Sequence, residues 1–230
     1  WLDHSRTMWQ LKQQVFSDFQ TATFVSPTRW LADEARKSFL SAHPILVIPN
    51  GIEPGTFYPG KSTLRSDMQI PEERVVLAAA QDIMCDRKGG KLVLKLAETM
   101  PKTRFILVGA KGNLPVPPNV TCLAGRQSAE EMANLYRGAD VFLITSREDN
   151  FPTVCLEAAA CGTPIAGFAC GGIPETAGAP VAEFVPYGDL YALKKAVNAL
   201  FVRDNKMQNG ALFAHSAETM YAAYKKVYET

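Results

Sequence analysis

Residues 141–175 read VFLITSREDNFPTVCLEAAACGTPIAGFACGGIPE. Val141–Thr145 reads as a buried strand. A polar loop follows, and the spacing predicts a helix over Phe151–Ala160, with Asn150 at its cap and Pro152 in its first turn. Pro164–Phe168 predicts the next strand, and Gly171-Gly172 a tight turn into Ile173-Pro174-Glu175, a structural role rather than a contact. Strand, loop, helix and strand make a βαβ unit, so the sheet it belongs to is parallel.

The pattern extends both ways. Upstream, Val75–Ala80 is a continuous apolar run. A helix with Val93, Leu96, Ala97 and Met100 on one stripe follows, then strands at Arg104–Val108 and Val120–Leu123 and a helix over Ala129–Gly138. Downstream come a strand at Ala182–Val185 and helices over 190–201 and 211–228. The expected fold class is α/β: a Rossmann-like parallel sheet with helices on both faces over residues 74–210, closed by a C-terminal helix in 211–230. Residues 49–73 (PNGIEPGTFYPGKSTLRSDMQIPEE) are rich in Gly, Pro and charge and read as an interdomain crossing. Before it, Met8, Leu11, Val15 and Phe19 recur at helical spacing and residues 21–25 read as a strand. Ser26-Pro27 opens a helix running to about Leu40, and residues 45–48 read as another strand. Residues 1–48 cannot bury enough surface to stand alone and are expected to be the remnant of a preceding domain.

Composition narrows the functional classes. Hydrophobic residues make up 47% and charged residues 20% of 230, the balance of a globular domain with an ample core. The net charge of +1 gives no global field for nucleic acid, and none is expected as a partner. Five cysteines with no Cys-x-x-Cys argue against a disulfide framework or zinc ribbon and fit a reducing compartment. His4, His43 and His215 share no ligand spacing, so no metal site is expected. No apolar stretch approaches the ~20 residues a bilayer span needs. The start, WLDHSRTMWQ, has neither an initiator Met nor a signal-peptide layout, so the chain is expected to be cut from a longer protein.

The loop before the helix at 151 carries the chemistry. Helix N-terminal N–H groups lack internal partners and hold partial positive charge. At the carboxyl end of a parallel sheet they form a docking point for a diphosphate. Glu157, about a turn and a half in, leans back toward that end. A carboxylate there repels phosphate but accepts hydrogen bonds from vicinal sugar hydroxyls. Asp149, seven residues intervening, can meet a sugar beyond. Spacing alone leaves a plainer alternative open, in which Asp149 aids the cap and Glu157 is a solvated helix acid. Arg87-Lys88, before a helix opened by Gly89-Gly90, are cations able to screen a diphosphate; they also read as a surface basic pair. Gly109–Gly112 is not Gly-x-Gly-x-x-Gly and Gly89-Gly90-Lys91 is not a P-loop, so dinucleotide and NTPase fingerprints are rejected. Tyr221, Tyr224 and Tyr228, at helical spacing, read as packing.

Taken together, SREDNFPTVCLEAAACGTPIAGFACGGIPE resembles the signature of the retaining GT-B glycosyltransferases of family 4. That pattern runs Ser-x-x-Glu-Gly-Phe-Gly, Glu-Ala-x-Ala-x-Gly-x-Pro, Gly-Gly-x-Pro-Glu. Pro49-Asn50-Gly51-Ile52-Glu53 with Phe57 is similar to the family's interdomain crossing, and Arg87-Lys88-Gly89 to its phosphate-binding Lys-Gly. Tyr224-Lys225-Lys226-Val227-Tyr228 resembles its last helix, which packs back on the first domain. The resemblance covers most of residues 23–229 and makes this chain similar to the C-terminal, donor-binding half of a GT-B fold.

The resemblance implies a glycosyltransferase moving a sugar from a nucleoside diphosphate donor to an acceptor hydroxyl with retention, in polysaccharide or glycoconjugate biosynthesis. It implies no metal and no cofactor beyond the donor. The acceptor, a sugar or a lipid-linked group, and any membrane contact would come through the missing first domain, in a cytoplasmic protein. Asp149 stands where the family has the first acid of its Glu-x7-Glu pair, facing the donor sugar, and Lys88 and Arg87 take the diphosphate. Asn150, Phe151, Thr153 and Glu157 are implied to bind the donor, Glu157 through its ribose, and Arg126 lies where the family places its base pocket. The chain departs from the pattern where Asp149 replaces Glu, Asn150 and Pro152 replace two glycines, and Ala80-Gln81 replaces a Gly-Arg. A GT-B sugar-nucleotide epimerase and a non-catalytic scaffold of the same fold are the alternatives.

Overall fold

The computed structural model describes residues 3–53, 55–71, 73–111, 115–125, 127–177, 181–202 and 215–229. Helix α1 (Ser5–Ser17) leads into a two-stranded parallel pair, β1 (Phe24–Ser26) and β2 (Ile45–Val47), joined through helix α2 (Arg29–Arg36) and a 3₁₀ turn at Phe39–Ala42. After the crossing, a short helix α3 (Leu64–Asp67) precedes β3 (Arg74–Ala79), α4 (Gly90–Glu98), β4 (Thr103–Val108), β5 (Val120–Leu123) and α5 (Ala129–Gly138). Then come β6 (Val141–Ile144), α6 (Thr153–Ala160), β7 (Ile165–Phe168), a 3₁₀ turn at Ile173–Glu175, β8 (Ala182–Val185), α7 (Leu190–Val202) and α8 (Ala217–Tyr228).

The six strands β3–β8 form one sheet in the order β5-β4-β3-β6-β7-β8, every pair parallel. Alternate residues of each strand feed two cores. Leu77, Ile106, Phe142 and Ile165 pack with Tyr136 of α5 and Cys155 and Ala158 of α6. Val76, Ala78, Phe105, Leu107 and Leu143 pack on the other face with Val93 and Leu96 of α4 and Leu193 and Val197 of α7. Burial on both faces explains why β3 and β6 are written as unbroken apolar runs. In this strand order the direction of winding reverses between β3 and β6, and ligands of such sheets bind in the crevice beyond the carboxyl ends at that reversal.

Several local expectations shift. The helix expected from Ser26 starts at Arg29, with Thr28 as its cap: the Thr28 hydroxyl accepts the Leu31 N–H at 3.1 Å. Ser26 is held in β1 opposite Val47, and its hydroxyl donates to the Thr28 carbonyl at 2.7 Å. The helix stops at Arg36 rather than near Leu40, because extended Ser38 caps a separate 3₁₀ turn. Helix α6 begins at Thr153, with Pro152 as the flanking residue and no side-chain cap, so Asn150 is not the cap. Buried Phe151 draws the chain inward before the helix starts. The stripe Met8, Leu11, Val15 and Phe19 is exposed, while α1 is held from another side by Trp9 on Phe39 and Phe16 on Phe24 and Phe39. Of the tyrosine stripe, Tyr221 and Tyr228 are exposed and Tyr224 is half-buried, and α8 also meets the chain at Ala217 and Met220. Among the described residues no helix is long and apolar enough to cross a membrane.

The crossing and α8 are in contact. Ile52 donates its N–H to the His215 carbonyl at 3.0 Å and accepts from the Ala217 N–H at 3.0 Å. A β-carbon on Gly51 would lie 2.3 Å from the Ser216 carbonyl oxygen, so only glycine allows this approach. Glu175 reaches the other way: its carboxylate accepts the N–H groups of Arg29 and Trp30, each at 2.8 Å, and caps α2.

Candidate functional site

The loops leaving β3 and β6 meet at the reversal point. Gly89 has φ +74°, and a β-carbon there would lie 2.3 Å from the Thr145 carbonyl oxygen. The Thr145 hydroxyl donates toward the carbonyls of Lys88 (3.0 Å) and Gly89 (3.1 Å), and the Arg147 N–H to the Arg87 carbonyl (2.8 Å). These bonds lace the Arg87–Gly89 segment onto the loop that carries Asp149. Lys88 Nζ then meets Asp149 Oδ2 at 2.5 Å, with only 20% and 15% of the two side chains exposed. Arg87 is exposed, its guanidinium 3.4 Å from the Glu148 carbonyl oxygen.

The Asp149 loop is braced from below. The Gly172 N–H donates to the Asp149 carbonyl at 2.9 Å. A β-carbon on Gly172 would fall 1.8 Å from the Asn150 carbonyl oxygen, and one on Gly171 (φ +56°) 2.5 Å from that of Asp149. The Gly-Gly turn is therefore structural, as expected, and what it supports is this loop. Asn150 is exposed, Phe151 is buried with its ring edge-on to His215 (centroids 5.5 Å), and Thr153 opens α6 in an exposed position. With no side-chain cap on α6, its first-turn N–H groups keep their anion-binding capacity.

Glu157, half-buried on α6, accepts the Tyr136 phenol at 2.9 Å. Burial pushes its carboxyl above the ordinary value, opposed by hydrogen bonding from Tyr136 and Thr153. Cys155, wholly buried on the same helix, senses the assembled charges. Its thiol is pushed up to about 12, first by burial, against a Thr176 hydrogen bond, then by Asp149, against Lys88, and by Glu157. So Lys88, 61 residues from Asp149 in the chain, shares one neighbourhood with Asp149 and Glu157. Arg126 lies outside the described residues. Among the described residues no group of His, Cys, Asp and Glu could hold a metal ion.

A cavity of about 680 Å³ adjoins the site, its walls including Pro27, Arg29, Pro49, Phe151, Glu175 and His215. Lys88, Asp149 and Glu157 are not among its lining residues. Lys88 and Asp149 pair at the reversal point, while the cavity is lined by Phe151 and by residues of the 27–49 stretch. His215 Nδ1 is buried with no partner among the described residues, and burial lowers the imidazole pKa.

Sequence reasoning missed Tyr136, Thr145 and Glu175. Thr145 had a signal, a hydroxyl closing an apolar strand. Tyr136 had none, since a tyrosine on an apolar helix stripe reads as core.

A two-loop crevice at the reversal of a doubly wound sheet is where ligands of such folds bind, and here it brings a lysine on one loop to an acid on the other. Comparison with known proteins narrows the class. Residues 74–203 match the family model described as glycosyl transferases group 1, and the chain belongs to that family. A D-inositol 3-phosphate glycosyltransferase of Mycobacteroides abscessus is 28% identical over 188 residues, covering 74% of this chain and 42% of that protein. The counterpart from Mycobacterium bovis is 32% identical over 161 residues, 62% of this chain and 33% of its own. The chain thus spans less than half the length of these relatives. Among solved structures, sucrose-phosphate synthase from Thermosynechococcus elongatus superposes with a TM-score of 0.77 at 23% identity, covering 99% of this chain and 63% of that one. Anabaena Alr3699/HepE in complex with UDP-glucose gives 0.77 at 18% identity, covering 98% and 68%. The fold is that of the GT-B glycosyltransferases.

Proposed function

We propose that this chain is the donor-binding part of a glycosyltransferase that moves a sugar from a nucleoside diphosphate to an acceptor hydroxyl with retention. The observation that carries the reading is the meeting of Lys88 and Asp149 at the reversal of the sheet, ahead of a helix N-terminus that no side chain caps. In this reading the diphosphate takes Lys88 from Asp149 and sits against the first N–H groups of α6, with Arg87 at the exposed side. Asp149, released, faces hydroxyls of the transferred sugar, with the Asn150 and Phe151 backbone beside it. Glu157 accepts the ribose hydroxyls. As the bond from the anomeric carbon to the diphosphate breaks, negative charge grows on the leaving group. In this reading Lys88, exchanged from Asp149, meets that charge together with Arg87 and the α6 N–H groups, which gives the electrostatic stabilisation a metal supplies elsewhere, so the reaction is proposed to be metal-independent.

The cavity beyond Phe151 falls within the ~300–1,000 Å³ of small-molecule sites and gives room for the sugar and an acceptor. Residues 1–48 are read as belonging to an acceptor domain and 49–73 as the crossing, with a role in cytoplasmic polysaccharide or glycoconjugate synthesis. One neighbour, Anabaena Alr3699/HepE, was solved with UDP-glucose and with UDP, which makes a nucleotide sugar the first donor class to test. The test is isothermal titration of the folded chain with UDP, GDP and ADP. Binding of at least one is expected; no heat from any of the three rejects the reading.

A non-catalytic scaffold is favoured by one observation: exposed Gln81 stands where the family has an arginine, leaving the diphosphate one cation fewer. Lys88→Ala and Glu157→Ala in the full-length protein separate the two. Loss of product supports transfer, and unchanged product supports the scaffold.

A further inference from the structure

Glu157 is anchored by a group that the reaction scheme does not use. Tyr136 is wholly buried on α5, its ring edge-on to Phe142 (centroids 5.5 Å) and to Phe57 (6.2 Å). Its carbonyl accepts the Thr163 hydroxyl at 2.6 Å, tying the end of α5 to the turn after α6. Two aromatic contacts and this tie fix the position of the phenol oxygen, which donates to Glu157 Oε2 at 2.9 Å. A phenylalanine would fill the same aromatic layer without bringing a polar atom into it. A hydroxyl sealed from water costs free energy unless it finds an acceptor, and here the acceptor is the Glu157 carboxylate.

Resting on the donor reading above, we infer that Tyr136 is a positioning residue for the nucleotide: it engages one oxygen of Glu157 and so aims the remaining lone pairs at the two vicinal hydroxyls of a ribose. A carboxylate offers about four acceptor positions, so bonds to the phenol and to Thr153 still leave enough for two hydroxyl donors. Without the anchor, the glutamate rotamers must be frozen when the nucleotide binds, which weakens binding. Burial together with the neighbouring Glu157 charge raises the phenol pKa well above its usual value, so Tyr136 remains a donor through the neutral range.

The test compares nucleotides that differ only in the groups Glu157 would hold. UDP, GDP and ADP, and the 2′,3′-dideoxy form of each, are titrated into the chain and into Tyr136→Phe, with near-ultraviolet circular dichroism confirming that the variant is folded. For the nucleotide that binds, Tyr136→Phe is expected to weaken the ribose form roughly five- to tenfold, the worth of one hydrogen bond. The dideoxy form should bind both proteins equally. In Glu157→Gln, adding Tyr136→Phe should cause no comparable further loss. Equal weakening of ribose and dideoxy forms would show that the phenol only supports the fold, and overturns the inference. Unchanged ribose affinity overturns it too. If the unsubstituted chain binds none of the six compounds, the donor reading itself fails and this inference falls with it; binding by the unsubstituted chain with no ribose-selective loss sinks the inference alone.

Discussion

At the scale of single residues, Lys88 and Asp149 neutralise each other across 2.5 Å, and in the proposed function a diphosphate has to compete with a carboxylate already in place. This competition predicts opposite signs for two substitutions. Asp149→Asn removes the competing anion and is expected to tighten nucleoside diphosphate binding about three- to tenfold, while turnover of the full-length enzyme falls. Lys88→Ala removes the cation and is expected to weaken binding about tenfold or more. Calorimetry on the two variants checks both, and weaker binding in Asp149→Asn would argue against the exchange. Glu157 adds a pH prediction. Its folded pKa is raised, chiefly by burial, so its contribution to stability is present below the unfolded value near 4.5 and is lost as pH rises through the folded value. At neutral pH the ionised carboxylate therefore costs stability. Glu157→Gln, which keeps an oxygen for Tyr136, is expected to melt higher than the unsubstituted chain at pH 7 and to lose that advantage by pH 4. A melting-temperature series across that range checks the sign.

At the scale of elements, the site is a product of two loops clasped by backbone contacts, and Gly89 is the tightest point of the clasp. Gly89→Ala puts a methyl against the Thr145 carbonyl in a left-handed conformation. It is expected to destabilise the chain by about 1–3 kcal/mol in urea unfolding and to weaken nucleotide binding, since Lys88 is the adjacent residue. The elements themselves were legible in the sequence where periodicity was strong. Strands β5 and β8 and helix α5 fall at the expected bounds, and β3, β4, β6 and β7 shift by a residue at one end or both. What failed was capping. Ser26 and Asn150 have the chemistry of caps, but strand pairing held Ser26 and the burial of Phe151 moved the start of α6 past Asn150. The charged residues of the site were legible through Arg87-Lys88 and the two acids. Tyr136, which holds Glu157, was not, because it acts through a contact between residues distant in the chain, and local pattern carries no record of such pairs.

At the scale of the whole molecule, the two cores of the six-stranded sheet take no residue from α1, which itself buries none. Removing residues 1–20 is therefore expected to shift the melting temperature of the sheet domain by no more than about 2 °C, as surface changes do. A larger drop in differential scanning calorimetry would show that the N-terminal segment carries stability its contacts do not reveal. The buried thiol on α6 has a use of a different kind. Burial pushes the Cys155 thiol up to about 12, so it stays a thiol through the neutral range, and it lies wholly out of solvent. An alkylating reagent can reach it only when α6 lifts from the sheet. Iodoacetamide labelling of that one sulfur, followed by peptide mass spectrometry, becomes a built-in clock for breathing of the crevice, and a ligand that seats on α6 should slow it.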